Sequence, residues 1–164
     1  VLDYGCGDGI LSELLVRKGF KVTCSDISQK ALDIILEKIP GVETIQASEP
    51  LEIGSTPAFE GVIVWGVMHH IDKKLWGNYL DGFANLIKEN GRILIGGHSM
   101  KDEDFAKGFR VSPTTGLISD AVDSVETLLV SHKLKIVESG YFPFEEGFSK
   151  KQRVFKYFIA EKNS

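Results

Sequence analysis

The stretch VLDYGCGDG (residues 1–9) decides how the rest of this chain is read. A short apolar start breaks into Gly5, Gly7 and Gly9, which alternate with other residues. Val1 and Leu2 read as the end of a buried strand. The glycines allow a sharp turn and a close approach to a ligand that any Cβ would hold off. ILSELLVRKG follows, with Leu11, Leu14, Leu15 and Lys18 at helical spacing. Strand, glycine loop and helix together form a nucleotide-type cradle. A second strand, FKVTCSDIS, then ends in Asp26, whose carboxylate can accept from both hydroxyls of a ribose.

The glycine spacing is G-x-G-x-G, whereas the dinucleotide fingerprint is G-x-G-x-x-G; Ile10 follows Gly9. Asp3 stands two places before the first glycine. That charge suits a ligand carrying an ammonium and a sulfonium better than it suits a pyrophosphate. On these residues the stretch resembles the first motif of class I S-adenosylmethionine-dependent methyltransferases. FEGVIVWGVMHHI (59–71) is similar to that family's fourth strand and following loop, and ENGRILIGG (89–97) to its turn into strand five. The likeness covers nearly the whole chain.

The resemblance implies S-adenosylmethionine as cofactor and S-adenosylhomocysteine as product. It assigns cofactor contact to Asp3, Tyr4, Gly5, Cys6 and Gly7 at the methionine end, Asp26 at the ribose and Ile27 on the adenine face. Ser48 or Glu49 would meet the adenine edge, and the register between them stays open. Trp65 and Gly66 would lie beside the methionine moiety. Met68 either lines that pocket or fills the core. His69 and His70 are candidate general bases, since imidazole titrates near neutral pH. The alternative is that either one simply pins its loop, and His98 after strand five carries the same two readings. Two adjacent histidines without a cysteine or carboxylate at suitable spacing make a poor metal site, so no metal is expected. The resemblance also implies one or more helices upstream of Val1 that this sequence does not include.

The rest of the pattern is α/β. Strands near Lys21–Ser25, Glu43–Gln46, Gly61–Trp65 and Arg92–Gly96 alternate with helices, which predicts a doubly wound, mostly parallel sheet. Ser28 is placed to cap a helix whose apolar face is Ala31, Ile34 and Ile35, extending to Ile39, stopped by Pro40-Gly41. ASEPLEIGSTPAF reads as a loop. The helix after strand four is expected from about Asp72 to Asn90-Gly91. Asp123 to Glu126 reads as a capping box opening a further helix. LKIVESGYF (134–142) and RVFKYFIAE (153–161) alternate apolar and polar as an antiparallel hairpin. Seven strands ending in such a hairpin make a Rossmann-like methyltransferase fold, in a single domain over 1–164. Segment 101–120 is long and polar, and reads as a substrate-selecting element (Phe105, Phe109, Arg110, Pro113) or as a surface insertion. Its Asp102, Glu103 and Asp104 read as solvated or as capping a short helix.

Composition narrows the function. The chain has 164 residues, 43% hydrophobic and 26% charged, with a net charge of −4. That balance argues against a general nucleic-acid binder. No apolar run approaches the roughly 18 residues that span a bilayer. Cys6 and Cys24 are too few for a disulfide scaffold and read as reduced, buried residues of a cytoplasmic protein. VWGV follows strand four in place of the Asn/Asp-Pro-Pro-aromatic tetrad of amino-methylating nucleic-acid enzymes, and no cysteine follows, unlike the carbon-5 pyrimidine type. A small-molecule acceptor is therefore expected. Competing readings are a nicotinamide-dependent oxidoreductase, opposed by the glycine spacing and the hairpin, and a non-catalytic methyltransferase-like subunit, opposed by the intact first motif.

Overall fold

A seven-stranded sheet runs in the order β3-β2-β1-β4-β5-β7-β6 in the computed structural model, which describes residues 1–106, 120–132, 134–145 and 150–162. Its strands are β1 Leu2–Tyr4, β2 Thr23–Asp26, β3 Glu43–Gln46, β4 Phe59–Trp65, β5 Ile87–His98, β6 Leu134–Glu145 and β7 Gln152–Lys162. The first five are parallel, and β7 runs antiparallel to both β5 and β6. This is the doubly wound, mostly parallel sheet with a terminal antiparallel hairpin that the pattern predicts. The strand order reverses between β1 and β4, and ligands of open α/β sheets bind at the carboxyl ends around such a switch.

The helices are α1 Ile10–Arg17, α2 Gln29–Lys38, α3 Pro50–Ile53, α4 Trp76–Leu86, α5 Glu103–Ala106 and α6 Val125–Ser131. Side chains alternate across each strand, so β1 sends Leu2 and Tyr4 to one face and Asp3 to the other. The first face packs Val62, Val64, Ile93, Ile95 and Phe158 against α4 and α6 through Trp76, Leu80, Phe83 and Leu129. The second packs Cys24 and Cys6 against Leu32 and Ile35 of α2.

Several local expectations are corrected. Leu32 is buried on α2 where Ala31 and Ile34 were expected to lead, while Ile35 is buried as read. Ser28 does cap α2, its Oγ accepting from Ala31 N at 3.3 Å. On α1 the buried residue is Ser12, and Leu14 is 53% exposed. Segment 47–59 contains α3, a single turn closed by a reciprocal Glu49–Glu52 capping box. The helix after β4 begins later and ends earlier than read. Asp72 caps a 3-10 turn through Lys74 N, α4 starts at Trp76, and residues 87–91 join β5 because Ile87 pairs with Phe59. Asp123 forms no capping box; its carboxylate accepts from Ser99 Oγ and Met100 N and ties down the end of β5. Phe109, Arg110 and Pro113 lie outside the described residues.

Candidate active site

Three positive-φ glycines shape the loop after β1: Gly5 at 71°, Gly7 at 54° and Gly9 at 78°. They differ in purpose. A Cβ on Gly5 would sit 2.4 Å from Val67 Cγ2, so that glycine lets the loop after β4 close over the loop after β1. A Cβ on Gly7 would meet nothing within 4 Å, so that position faces open space at the carboxyl edge. Gly5 N and Cys6 N both donate to Ser25 O, at 2.7 and 3.0 Å, which binds the loop to the end of β2. Gly9 serves as the N-cap of α1 without any side-chain cap, leaving first-turn amides turned toward the loop.

Asp26 joins the two halves of this cradle. One carboxylate oxygen accepts from Gly7 N at 2.9 Å and the other from Ser28 N at 2.9 Å. Ile27, next to it, is 69% exposed, an apolar side chain left in the open beside polar backbone. Gln46 Nε2 donates to Ile27 O at 3.0 Å and fixes that turn.

Asp3 is only 3% exposed and accepts from Ser12 Oγ at 2.5 Å. Burial raises its pKa, the Ser12 bond pulls it back, and Asp26 nearby adds to the rise. Cys24 Sγ donates to the same Ser12 Oγ at 3.1 Å. The Cys24 contact and burial both push the Cys6 thiol upward, so it stays protonated near neutral pH. Tyr4, on the other face, donates to Ser48 O at 2.8 Å, and Tyr79 donates to the same carbonyl at 2.8 Å. Burial, with Tyr79 beside it, keeps Tyr4 a phenol. Ser48 N and Oγ both bond to Glu52, and the Glu49 side chain accepts from the backbone of α3. The two candidates for the adenine edge are thus engaged in building the turn after β3. Ser12, Tyr79 and Glu52 are contributors that the sequence reading missed. A polar Ser12 inside an apolar helical run was the available signal.

Beyond β4, Gly66 has φ 73° and its N–H donates to Gly96 O at 2.8 Å. Trp65 leans across β5, and its ring contacts Phe155 and Phe142 of the hairpin, on the side away from β1. Met68 is fully buried in the core and its carbonyl accepts from Trp76 Nε1 at 3.0 Å. His69 is 7% exposed, and its ring lies 4.1 Å from that of His70 and 4.8 Å from that of His98. Burial, then His70 and His98, drive its pKa down to about 3, so it is neutral at physiological pH. His70 is half-buried, and burial lowers its pKa more mildly. The two histidines therefore differ: one is sealed into the loop, the other stands at its surface. Among the described residues no group of three or more His, Cys, Asp or Glu is arranged to hold a metal ion. No helix of the described residues is long and apolar enough to cross a membrane.

A hollow of about 820 Å³ opens at the opposite edge of the sheet, around Val1, Phe20, Lys21, Phe59 and Lys88. It lies at the amino ends of the strands and shares no residue with the glycine loop. The switch-point rule places ligand chemistry at the other edge.

Fold and edge geometry define a Rossmann-like α/β protein with a small-ligand cradle at the β1–β4 switch. The methyltransferase-domain family profile matches residues 1–91, and the chain belongs to that family. The ubiquinone biosynthesis O-methyltransferase of Xylella fastidiosa is 30% identical over 102 residues, covering 58% of this chain and 40% of the relative. The enzyme of that name from Caulobacter vibrioides is 33% identical over 107 residues, covering 58% and 39%. The chain thus spans about 40% of the length of the curated relatives it matches. Among solved structures, the Burkholderia thailandensis 1,6-didemethyltoxoflavin-N1-methyltransferase, with bound 1,6-didemethyltoxoflavin and S-adenosylhomocysteine, superposes with a TM-score of 0.79 at 19% identity, over 99% of this chain and 70% of that one. A SAM-dependent methyltransferase from Archaeoglobus fulgidus gives 0.77 at 16% identity, over 98% and 85%.

Proposed function

We propose that residues 1–164 act as one methyltransferase domain, transferring a methyl group from S-adenosylmethionine to a small-molecule acceptor. The observation that carries this is Asp26, whose two oxygens tie the glycine loop to the start of α2 and leave the carboxylate at the open edge. The cradle's chemistry suits the cofactor. Gly7 leaves open space clear of any side chain, uncapped α1 amide N–H groups can donate to a carboxylate, and exposed Ile27 offers an apolar seat for a base. The buried negative charge of Asp3 beneath the loop favours an ammonium above it.

S-adenosylmethionine supplies an electrophilic methyl on a sulfonium, so the protein's task is chiefly alignment. Gly5, Cys6, Gly7 and Gly66 provide backbone at close approach. Asp26 holds the sugar hydroxyls, and Tyr4 and Tyr79 fix the Ser48 carbonyl that shapes the adenine side. Where the acceptor must lose a proton, His70 takes it. Its depressed pKa leaves the imidazole neutral and able to accept. His69, sealed and uncharged, positions the loop. Net charge and free thiols support a small-molecule acceptor and a reducing, cytoplasmic setting.

Calorimetric titration with S-adenosylhomocysteine and, separately, NAD tests the reading. Saturable binding of the former with none of the latter is expected. Tight NAD binding without a response to S-adenosylhomocysteine would overturn it.

A further inference from the structure

Four strands bring rings onto one face of the carboxyl edge, the face that also carries Asp3 and α1. Residues paired across strands share a face, as do residues two apart along one strand. Trp65 pairs with Gly96, Gly96 with Tyr157, and Tyr157 with Gly140. Two residues nearer the edge, His98 pairs with Phe155 and Phe155 with Phe142; Phe144 lies two further along β6.

The rings touch as a continuous set. Trp65 is 5.4 Å from Phe155 and 5.9 Å from Phe142 between centroids, and Phe144 is 5.0 Å from Phe155. Two glycines make this possible. A Cβ on Gly96 would come within 2.3 Å of the Trp65 ring, and one on Gly140 within 2.7 Å of Tyr157 Oη. Neither glycine has a positive φ, so the backbone does not require it. Glycine inside a strand costs about 0.5–1 kcal/mol relative to alanine. What the two positions gain is that the Trp65 and Tyr157 rings lie down across neighbouring strands. The result is a ring-floored platform that begins at Trp65 on β4, one strand over from the glycine loop, and runs across β5 and β7 to β6, with neighbouring strands about 5 Å apart. At its outer side Phe142 remains 50% exposed.

We infer that Trp65 and Phe142, backed by the buried Phe155, form the stacking floor of the acceptor pocket, and that the acceptor is a planar conjugated ring. This rests on the methyltransferase reading above. A flat ring gains offset-stacked or edge-to-face contact with such a floor, which a puckered ring of equal size and greater hydrophobicity does not. Bound at the Trp65 end, over β5, it lies one strand from the end of β4 and two from that of β1, the edge where this reading puts the methyl donor.

The test uses the whole chain saturated with S-adenosylhomocysteine, whose binding is measured first by calorimetry; failure at that step refutes the methyltransferase reading itself. The probes are 2-naphthol and trans-decahydro-2-naphthol, which share the hydroxyl and differ in planarity. Ring stacking measured by alanine substitution in other systems implies at least about a 5-fold effect. 2-Naphthol is therefore expected to bind at least about 5-fold tighter than the saturated alcohol. Phe142→Ala, at an exposed position, should erase the preference while S-adenosylhomocysteine affinity holds, and Phe142→Tyr should retain it. Equal affinity for the two probes, no binding of either, or a preference untouched by Phe142→Ala would each overturn the inference.

Discussion

Replacing Asp26 with asparagine separates a carboxylate that merely forms a turn from one that also grips a ligand. Its two oxygens each accept a backbone N–H at 2.9 Å, from Gly7 and from Ser28. Asparagine has the same shape but only one accepting oxygen, so its amide NH₂ must face one of those donors. The Ser28 bond is exposed and the Gly7 bond only part-buried, so the fold should lose about 1 kcal/mol, seen as a lower urea midpoint with an unchanged slope. The cofactor loses more, because an ionised acceptor for its sugar hydroxyls disappears while the glycine loop loosens. Charge-assisted bonds of about 1.5–3 kcal/mol translate into S-adenosylhomocysteine affinity weaker by roughly 10- to 150-fold. The two effects are read together by urea unfolding with and without ligand. At a concentration of 100 Kd the parent chain should gain about 2.7 kcal/mol. A variant with a 30-fold higher Kd should gain only about 0.9 kcal/mol at the same concentration. A destabilised Asp26→Asn chain that binds S-adenosylhomocysteine with parental affinity would refute the reasoning, since the carboxylate would then serve the turn alone.

Gly5→Ala should cost roughly 2–4 kcal/mol, combining a left-handed backbone with the collision against Val67; adding Val67→Ala should recover the collision share, and urea curves showing equal destabilisation of both chains would argue against it. His69 carries a folded pKa of about 3 against an unfolded value of 6.5, so between these the unfolded chain binds the extra proton and stability falls as pH falls. From pH 7 to pH 5 its contribution should drop by about 2 kcal/mol; His69→Phe should flatten the stability–pH slope by that amount, and an unaltered slope would contradict the buried, neutral assignment. His70→Ala should lower kcat by about 100-fold for an acceptor that must be deprotonated, with S-adenosylhomocysteine affinity held within about 2-fold; unchanged turnover in a stable variant would remove it as the base.

What the sequence made legible was local chemistry with fixed spacing. The glycine loop, Asp26 at the end of β2, the Ser28 cap and the alternating hairpin all depend on neighbours a few residues away. Elements decided by distant partners were not legible. One turn, as in α3, has too few residues to hold a helix by propensity. It forms because Glu49 and Glu52 cap it reciprocally while Tyr4 and Tyr79 hold Ser48 from β1 and α4. Residues 87–90 contain good helix formers, yet Ile87 pairs with Phe59 and the segment becomes strand. Asp123 has the spacing of a cap, but its partners are Ser99 and Met100, 24 and 23 positions away. Trp65 could be placed at the end of β4 from its apolar run. The direction of its ring depends on pairing opposite Gly96, which only the register reveals.

The same limit explains the split roles in the first motif. Strand alternation sends Tyr4 and Asp3 to opposite faces of the sheet, so the two side chains support different sides of the loop. Asp3 reaches instead for Ser12 and holds α1 against the sheet, while Tyr4 reaches for the Ser48 carbonyl and holds the turn after β3. Only the backbone after Tyr4, where the positive-φ glycines begin, is left to face the open edge. The motif is therefore a strand that clamps one element on each side, with a loop of positive-φ glycines between them. A substitution at Asp3 or Tyr4 should disturb binding through the walls of the cradle, whereas one at Gly7 should obstruct its floor.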